Sequence, residues 1–342
     1  MPRKKQRSNK KQKRVSLTST KGLIQWTATA EQARYDKLLP KPRHEVTADR
    51  TLVIDGNNMA YRAYYAYSKL KGVEIIYGML KILETLIRQN KPEKLVICWD
   101  GKRNPKRVEL LPQYKSHRDK QRQDNPKARK RILRQIKRVK KLLYYLGVPQ
   151  AWHEDIEGDD MVYLVAKEES KLRRVMIVSG DKDMLQLVNH DISVYNPRPK
   201  YAVNRSPFAF SVQEPFVEIP QIVDYLCLVG DTSDDIPGIR GIGPKRACEF
   251  LRRWYTVKDY LEDEDAIFTG MADKDKVRKI YKRNRRLIDL ALFHRKYQPE
   301  AKVTWYRGKA FPPFNSEKYM LMCNKYNLKS FKSEKFISLF TS

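Results

Sequence analysis

Over the first two thirds of the chain, short continuous runs of β-branched and aliphatic residues alternate with longer stretches whose apolar positions recur at helical spacing. The runs are Thr51-Leu-Val-Ile-Asp55, Lys94-Leu-Val-Ile-Cys-Trp-Asp100 and Arg174-Val-Met-Ile-Val-Ser-Gly-Asp181-Lys-Asp183. Runs that are apolar on both faces suit a parallel sheet buried between helices. Helical patterns over 75–87, 128–146 and 159–171 lie among them, so the spacing predicts an α/β fold: a mostly parallel central sheet flanked by helices. Such sheets bind ligands beyond the carboxyl ends of their strands. Asp55, Asp100, Asp181 and Asp183 all fall there.

More acids lie at helix starts. Glu157-Gly-Asp159-Asp160 precedes the apolar run Met161-Val-Tyr-Leu-Val-Ala, and Gly230-Asp231-Thr-Ser-Asp234-Asp235 repeats the i, i+3 spacing. Capping of a helix dipole is the plain reading of either motif alone. Together with the strand-end acids they form a cluster of like charges that would repel one another unless cations neutralise it. Mg²⁺ or Mn²⁺, hard ions that take carboxylate and water oxygens, supply that neutralisation, and a pair of them can promote phosphodiester hydrolysis.

Charge changes the picture further. The 342 residues carry 70 Lys+Arg against 40 Asp+Glu, a net of +30, with 41% hydrophobic and 11% aromatic residues. That is a folded chain of about two domains that attracts polyanions. Residues 1–22 hold nine basic residues and no acid, and 102–141 hold 17 basic residues against Glu109, Asp119 and Asp124. The first run reads as a disordered tail within a basic extension over 1–48. In the second, 102–131 reads as a mobile basic loop feeding a basic helix. No apolar run suits a membrane span or signal peptide. Cys98, Cys227, Cys248 and Cys323 are scattered without a C-x-x-C pair, which argues against zinc modules and disulfides and suits a reducing cytoplasm.

After the last acidic pair comes Ile236-Pro-Gly-Ile-Arg-Gly241-Ile-Gly243-Pro-Lys245-Arg246-Ala. A tight Gly-rich turn with Pro at the first helical position exposes backbone N–H groups that can grip a phosphate, with Lys245 and Arg246 beside them. An ordinary helix–helix turn is the alternative. The string resembles the helix–hairpin–helix element that binds DNA backbones without reading sequence.

In order along the chain, Asp55-Gly-Asn-Asn-Met-Ala-Tyr61-Arg62, Trp99-Asp100, Tyr114-Lys115-Ser-His-Arg118, Glu157-Gly-Asp-Asp160, Gly180-Asp-Lys-Asp183 and Gly230-Asp-Thr-Ser-Asp234 with its hairpin resemble the 5′-nuclease (flap endonuclease) family. That family includes phage 5′-3′ exonucleases and the 5′-nuclease domain of bacterial DNA polymerase I. The likeness spans 51–260. It implies a PIN-like core over 49–205 with a helical arch at about 102–145, a helix–hairpin–helix region over 206–260, and leaves 261–342 as a C-terminal basic helical region. It further implies one metal site from Asp55, Asp100, Glu157, Asp159 and Asp160, and a second from Asp181, Asp183, Asp231 and Asp234, with two Mg²⁺ (or Mn²⁺) bound. A K⁺ ion at the hairpin extends the cofactor expectation. Arg62, Lys115 and Arg118 match cations that approach the scissile phosphate, with ordinary backbone steering as the alternative. Asp235 stands where many members have Asn.

The implied activity is structure-specific 5′-3′ exonuclease or flap endonuclease cleavage of DNA, and of RNA:DNA primer ends, in replication or repair. Flaps, nicks and single-strand/duplex junctions are the expected partners, and a monomer in the cytoplasm, the host's if phage-encoded, is the expected setting. A non-catalytic branched-DNA binding protein and a ribonuclease of the related small nuclease fold are the competing readings. The first would have lost carboxylates, and the second would lack the hairpin. Tyr61 or Tyr64 could stack on an unpaired base, although core packing is the commoner fate. Phe336-Ile-Ser-Leu-Phe340 loosely resembles peptides that dock on sliding clamps; a helix end tucked on the domain is the preferred reading. A clamp or a single-strand binding protein is thus the remaining partner expectation.

Overall fold

A computed structural model describes residues 50–197, 201–203 and 217–341. The basic extension over 1–48 lies outside the described residues. β1 (Arg50–Asp55), β2 (Lys94–Cys98), β3 (Gln150–Ala151), β4 (Arg174–Val178), β5 (Ile192–Asn196) and β6 (Tyr201–Val203) form one sheet in the order β3-β2-β1-β4-β5-β6. All neighbours are parallel except β6, which runs antiparallel to β5. β1 at the centre is flanked by β2 and β4, with Val53 opposite Val96 and Ile177. Because these strands are parallel and in register, Asp55, Asp100 and Asp181 leave the sheet at the same edge.

Helices cover both faces. On one, α1 (Gly56–Ala66), α2 (Glu74–Asn90) and α5 (Pro126–Tyr145) pack on Leu52, Ile54, Ile97 and Val178. The stripe Ile75, Ile76, Met79, Leu80, Leu83, Leu86 and Ile87 makes α2 amphipathic, and all seven are buried. On the other, α6 (Gly158–Glu169) packs Met161, Val162 and Val165 against Val53, Val96 and Ile177. Gly56 lets α1 turn directly off β1: a Cβ there would lie 2.7 Å from the Cys98 carbonyl oxygen and from Trp99.

Between β2 and β3 the chain forms α3 (Pro105–Leu110), α4 (His117–Asp124) and α5, so the loop expected over 102–131 is mostly helical. Asn104 caps α3 with Pro105 in its first turn, and Asn125 caps α5 with Pro126 in its first turn. These Asn-Pro helix starts sit inside the charge run and outweigh it. The foot of α5 is pinned by Glu74, which is fully buried, accepts from Gln135 Nε2 at 2.6 Å and pairs with Arg131.

Beyond β6, α7 (Ile222–Val229), the two-residue strands β7 (Gly230–Asp231) and β8 (Ile236–Pro237), α8 (Pro244–Arg253) and α9 (Val257–Glu262) form a small helical unit. α10 (Lys274–Ile288) and α11 (Leu290–Tyr297) complete it: Asn284 Nδ2 donates to Cys227 O and Pro237 O at 2.9 Å, and Tyr281 Oη donates to Asp224 at 2.6 Å. The segment 261–342 is therefore divided. Its first part belongs to the helical unit, and its remainder returns to the sheet, where Trp152 N donates to Thr304 O at 2.9 Å and α12 (Ser316–Lys325) and α13 (Glu334–Thr341) pack on α5 and α2.

α13 carries the Phe336-to-Phe340 string. Phe336 is 2% exposed, with its ring 4.9 Å from Phe331 and 5.2 Å from Phe340, while Phe331 meets Tyr77 of α2. Phe336 is packed against the domain while Ile337, Leu339 and Phe340 are half-buried, which is the arrangement expected of a helix end tucked on the domain. Phe336→Ala should destabilise the protein by about 3 kcal/mol through the cavity it leaves. Denaturant unfolding would check this; unchanged stability would contradict the packing.

Candidate active site

Asp55 ends β1 and caps α1, its Oδ1 accepting the Asn58 N–H at 2.9 Å and its Oδ2 the Ser179 hydroxyl at 2.9 Å. Burial raises its carboxyl to about 6; those hydrogen bonds oppose the rise, and the charges of Asp181 and Asp100 add to it. Asp100 lies two residues past β2, held by Asn57 Oδ1 on its N–H and by the Gly158 N–H on its Oδ1 at 2.7 Å. Asp181 caps the 3₁₀ turn Lys182–Leu187 by accepting the Asp183 N–H at 3.0 Å. Asp231 likewise accepts from Ser233, and Asp234 follows in the same turn.

These acids repel one another. Burial raises the Asp159 and Asp183 carboxyls well above the usual range, and Asp181 pushes both further; Asp234 acts on both, and Asp231 on Asp183. Burial likewise raises Asp181, with Asp231 and Asp234 adding to the rise. Asp183 Oδ1 is buried without a hydrogen-bond partner. A polar atom in that state costs roughly 1–3 kcal/mol unless something arrives to meet it. Among the described residues no three acidic, histidine or cysteine side chains close into a metal cage by themselves.

The countercharge comes from the arch. Lys115, in a left-handed conformation at φ 55°, inserts its ammonium between Glu157, which it contacts through Oε2, and Asp234 Oδ2 at 3.3 Å. Burial opposes this charge, but Tyr114, Glu157 and Asp234 hold the lysine firmly protonated. Arg118 donates to Asp234 Oδ1 at 2.7 Å, and Tyr114 Oη reaches both Glu157 and Asp234 at 3.2 Å. Asp235, in a left-handed turn at φ 56°, accepts from His117 N at 2.8 Å, with His117 Nδ1 2.9 Å from the same oxygen. It anchors the start of α4 to the helical unit.

Three of the expected site residues make contacts of another kind. Asp160 is fully buried, with its oxygens 2.5 and 2.8 Å from Arg107 and 3.1 Å from His294 Nε2. Burial would raise its carboxyl, yet the Arg107 charge pulls it far below the usual range. Glu157 bonds Asn104 N, Arg107, Lys115 and Tyr114, and both Lys115 and Tyr114 link it to Asp234. Arg62 donates to Pro197 O at 3.1 Å and not toward the acids.

The hairpin also divides its residues. Gly241 takes φ +83°, where a Cβ would lie 2.3 Å from Gly270 O, and Gly243 caps α8 with open space around it and no side-chain cap. Lys245 is exposed. Arg246 instead braces the turn, donating to Gly241 O at 2.5 Å and to Thr269 O over the Phe268 ring. Tyr61 is 43% exposed, whereas Tyr64 lies against Tyr65 and beneath Arg131.

Arg107 is the residue sequence reading missed. From α3 it is 2% exposed, bonds Glu157, Asp160 and the Leu287 carbonyl, and stacks 4.1 Å over Phe293 of α11. It joins arch, core and helical unit at one point, and only its place after Asn104-Pro105 distinguished it from the other cations of the run. Breaking a buried pair leaves an uncompensated charge, so Arg107→Met should cost roughly 3–5 kcal/mol, whereas adding Asp160→Leu should recover at least half of that. Denaturant unfolding of both variants tests this; equal losses would contradict the pairing.

Residues 50–214 match the family model described as 5′-3′ exonuclease, N-terminal resolvase-like domain, and 217–303 match 5′-3′ exonuclease, C-terminal SAM fold. The chain is 35% identical over 217 residues to the 5′-3′ exonuclease of Aquifex aeolicus, covering 62% of this chain and 72% of that protein. It is 29% identical over 259 residues to DNA polymerase I of Mycobacterium bovis, covering 73% of this chain but 28% of the polymerase. The fold is similar to a zinc-bound T5 5′-exonuclease, with a TM-score of 0.59 at 20% identity over 72% of this chain and 90% of that one. It is similar also to the flap endonuclease of bacteriophage T5 complexed with DNA and metal ions, with a TM-score of 0.58 at 17% identity over 85% and 98% of the two chains. With an acid cluster at the sheet edge, an arch above it and a Gly-rich hairpin beside it, the chain belongs to the 5′-3′ exonuclease family and is a DNA nuclease.

Proposed function

We propose that this nuclease is a structure-specific enzyme that hydrolyses phosphodiesters near the 5′ end of flapped or nicked DNA, and of RNA:DNA primers, in replication or repair, using two divalent cations, Mg²⁺ by preference. The observation that carries this reading is the crowding of Asp55, Asp159, Asp181, Asp183, Asp231 and Asp234, with Asp183 Oδ1 left unpartnered. Hard oxygen donors that repel one another fit hard divalent cations. Asp55, Asp100 and Asp159 would hold one ion, and Asp181, Asp183, Asp231 and Asp234 the other. When bound, such ions polarise the phosphodiester and supply a hydroxide nucleophile at neutral pH.

The chain's own residues do the rest. Lys115 and Arg118 present positive charge where arch and acid cluster meet, which draws a phosphate to the acids despite their own charge. The uncapped N–H groups at the start of α8 and exposed Lys245 offer a backbone grip set apart from the acids. Contacts of this kind to the phosphate backbone carry no base information, so strand geometry would select the substrate.

Asp181→Asn should lower the cleavage rate of a 5′-labelled flap duplex by about 100-fold or more while leaving its affinity in EDTA within about threefold. Cleavage by the parent protein should be lost in EDTA and restored by Mg²⁺. Equal losses of rate and affinity, or cleavage in EDTA, would overturn the reading.

A further inference from the structure

At the β3 edge of the sheet, beyond Asp100, cations and aromatic rings interleave. The Lys140 ammonium on α5 lies 5.1 Å from the Trp99 ring centroid, 4.9 Å from Trp152 and 5.7 Å from Tyr306. One turn along the same helix, Tyr144 meets Tyr306 edge-on at 6.1 Å, and Tyr306 meets Trp152 at 6.5 Å. The exposed Arg307 sets its guanidinium 4.8 Å over Tyr144 and 5.5 Å over Tyr306.

Three features set this cluster apart from ordinary packing. Trp152 Nε1 donates to the Asp100 carbonyl at 3.2 Å, so the cluster abuts the acid cleft. Arg307 holds φ 57°, a strained conformation for a residue with a side chain, and the following Gly308 is also left-handed at 69°. Lys140 is drawn into a setting that disfavours its charge, with Asp100 acting on it from a distance. The neighbouring acid Glu154 is already paired with Lys102. The cluster therefore sets the cations Lys140 and Arg307 against aromatic rings.

Tyr306 and Arg307 lie just past the residues that match the family models, which end at 303. That stretch is tied to the sheet by the Ala151–Trp305 bridge and the Trp152 N to Thr304 O bond. A segment beyond the family models thus supplies part of a surface beside the reaction centre.

We propose that Tyr144, Trp152, Tyr306, Lys140 and Arg307 form an accessory patch that binds an unpaired DNA strand beside the Asp100 end of the acid cleft. Aromatic faces and an Arg plane accept bases of any identity, while the cations follow the phosphates. The proposal rests on the reading of the chain as a DNA nuclease, and its test separates the two.

Fluorescence anisotropy in EDTA would compare a duplex bearing a single-stranded 5′ arm with the same duplex left blunt. Tyr306→Ala combined with Arg307→Ala should weaken binding of the armed duplex about five- to tenfold and leave the blunt duplex within twofold. Arg307→Gln, which removes the charge at the surface alone, should cost about two- to threefold and reduce the salt dependence by about one counterion. Unchanged affinity for the armed duplex, or equal losses on both duplexes, would overturn the patch while leaving the nuclease reading intact. Failure of the parent protein to bind either duplex would overturn both.

Discussion

Repulsion among carboxylates at the carboxyl edge of a parallel sheet is the constraint around which this molecule is organised. Parallel register carries Asp55, Asp100 and Asp181 off the sheet at one level, and two capped turns add Asp183, Asp231 and Asp234. Left alone, such a cluster would lose much of its charge or open. Lys115 and Arg118 hold it closed, and both come from a helical excursion that crosses from the core to the helical unit. The arch is thus an electrostatic partner of the acids as well as part of the scaffold around them.

The same bonds explain how three parts act as one. Arg107 fixes the first turn of α6 and touches α11, Asp235 fixes the start of α4, and Tyr114 spans Glu157 and Asp234. Each joins the excursion between β2 and β3 to elements far away in sequence. Duplex gripped at the α8 hairpin and phosphate drawn to the acids would therefore be registered against one another through rigid contacts. The C-terminal stretch extends this frame, returning past β3 to seat α12 and α13 on α5 and α2.

Much of this was legible in sequence, and what was not has physical causes. The strand ends announced themselves because buried strands are continuously apolar and their terminal acids break the run. α2 and α5 were legible from their stripes. β3 has two residues and could carry no periodicity. The helices α3 and α4 were hidden because charge runs read as solvated loops, while Asn-Pro starts are short signals. Composition also could not tell how adjacent acids divide: Asp159 faces the other acids, whereas Asp160 faces Arg107. Which way a helix presents neighbouring side chains depends on what packs against it, as Arg107 and His294 do here. For the same reason Arg246 and Lys245, side by side in the hairpin, divide into a brace and an exposed cation.

If the acids are held together against their own repulsion, neutralising one should stabilise the metal-free protein while removing its response to metal. The direct measurement is the melting temperature of the parent protein and Asp183→Asn, each in EDTA and in Mg²⁺. In EDTA the variant should melt higher by about 1–2 °C, the shift expected for roughly 1 kcal/mol in a chain of this size. Mg²⁺ should raise the parent's melting temperature and move the variant's much less, because an ion that binds only the folded state stabilises it. A variant that melts lower than the parent in EDTA, or gains as much from Mg²⁺, would contradict the account.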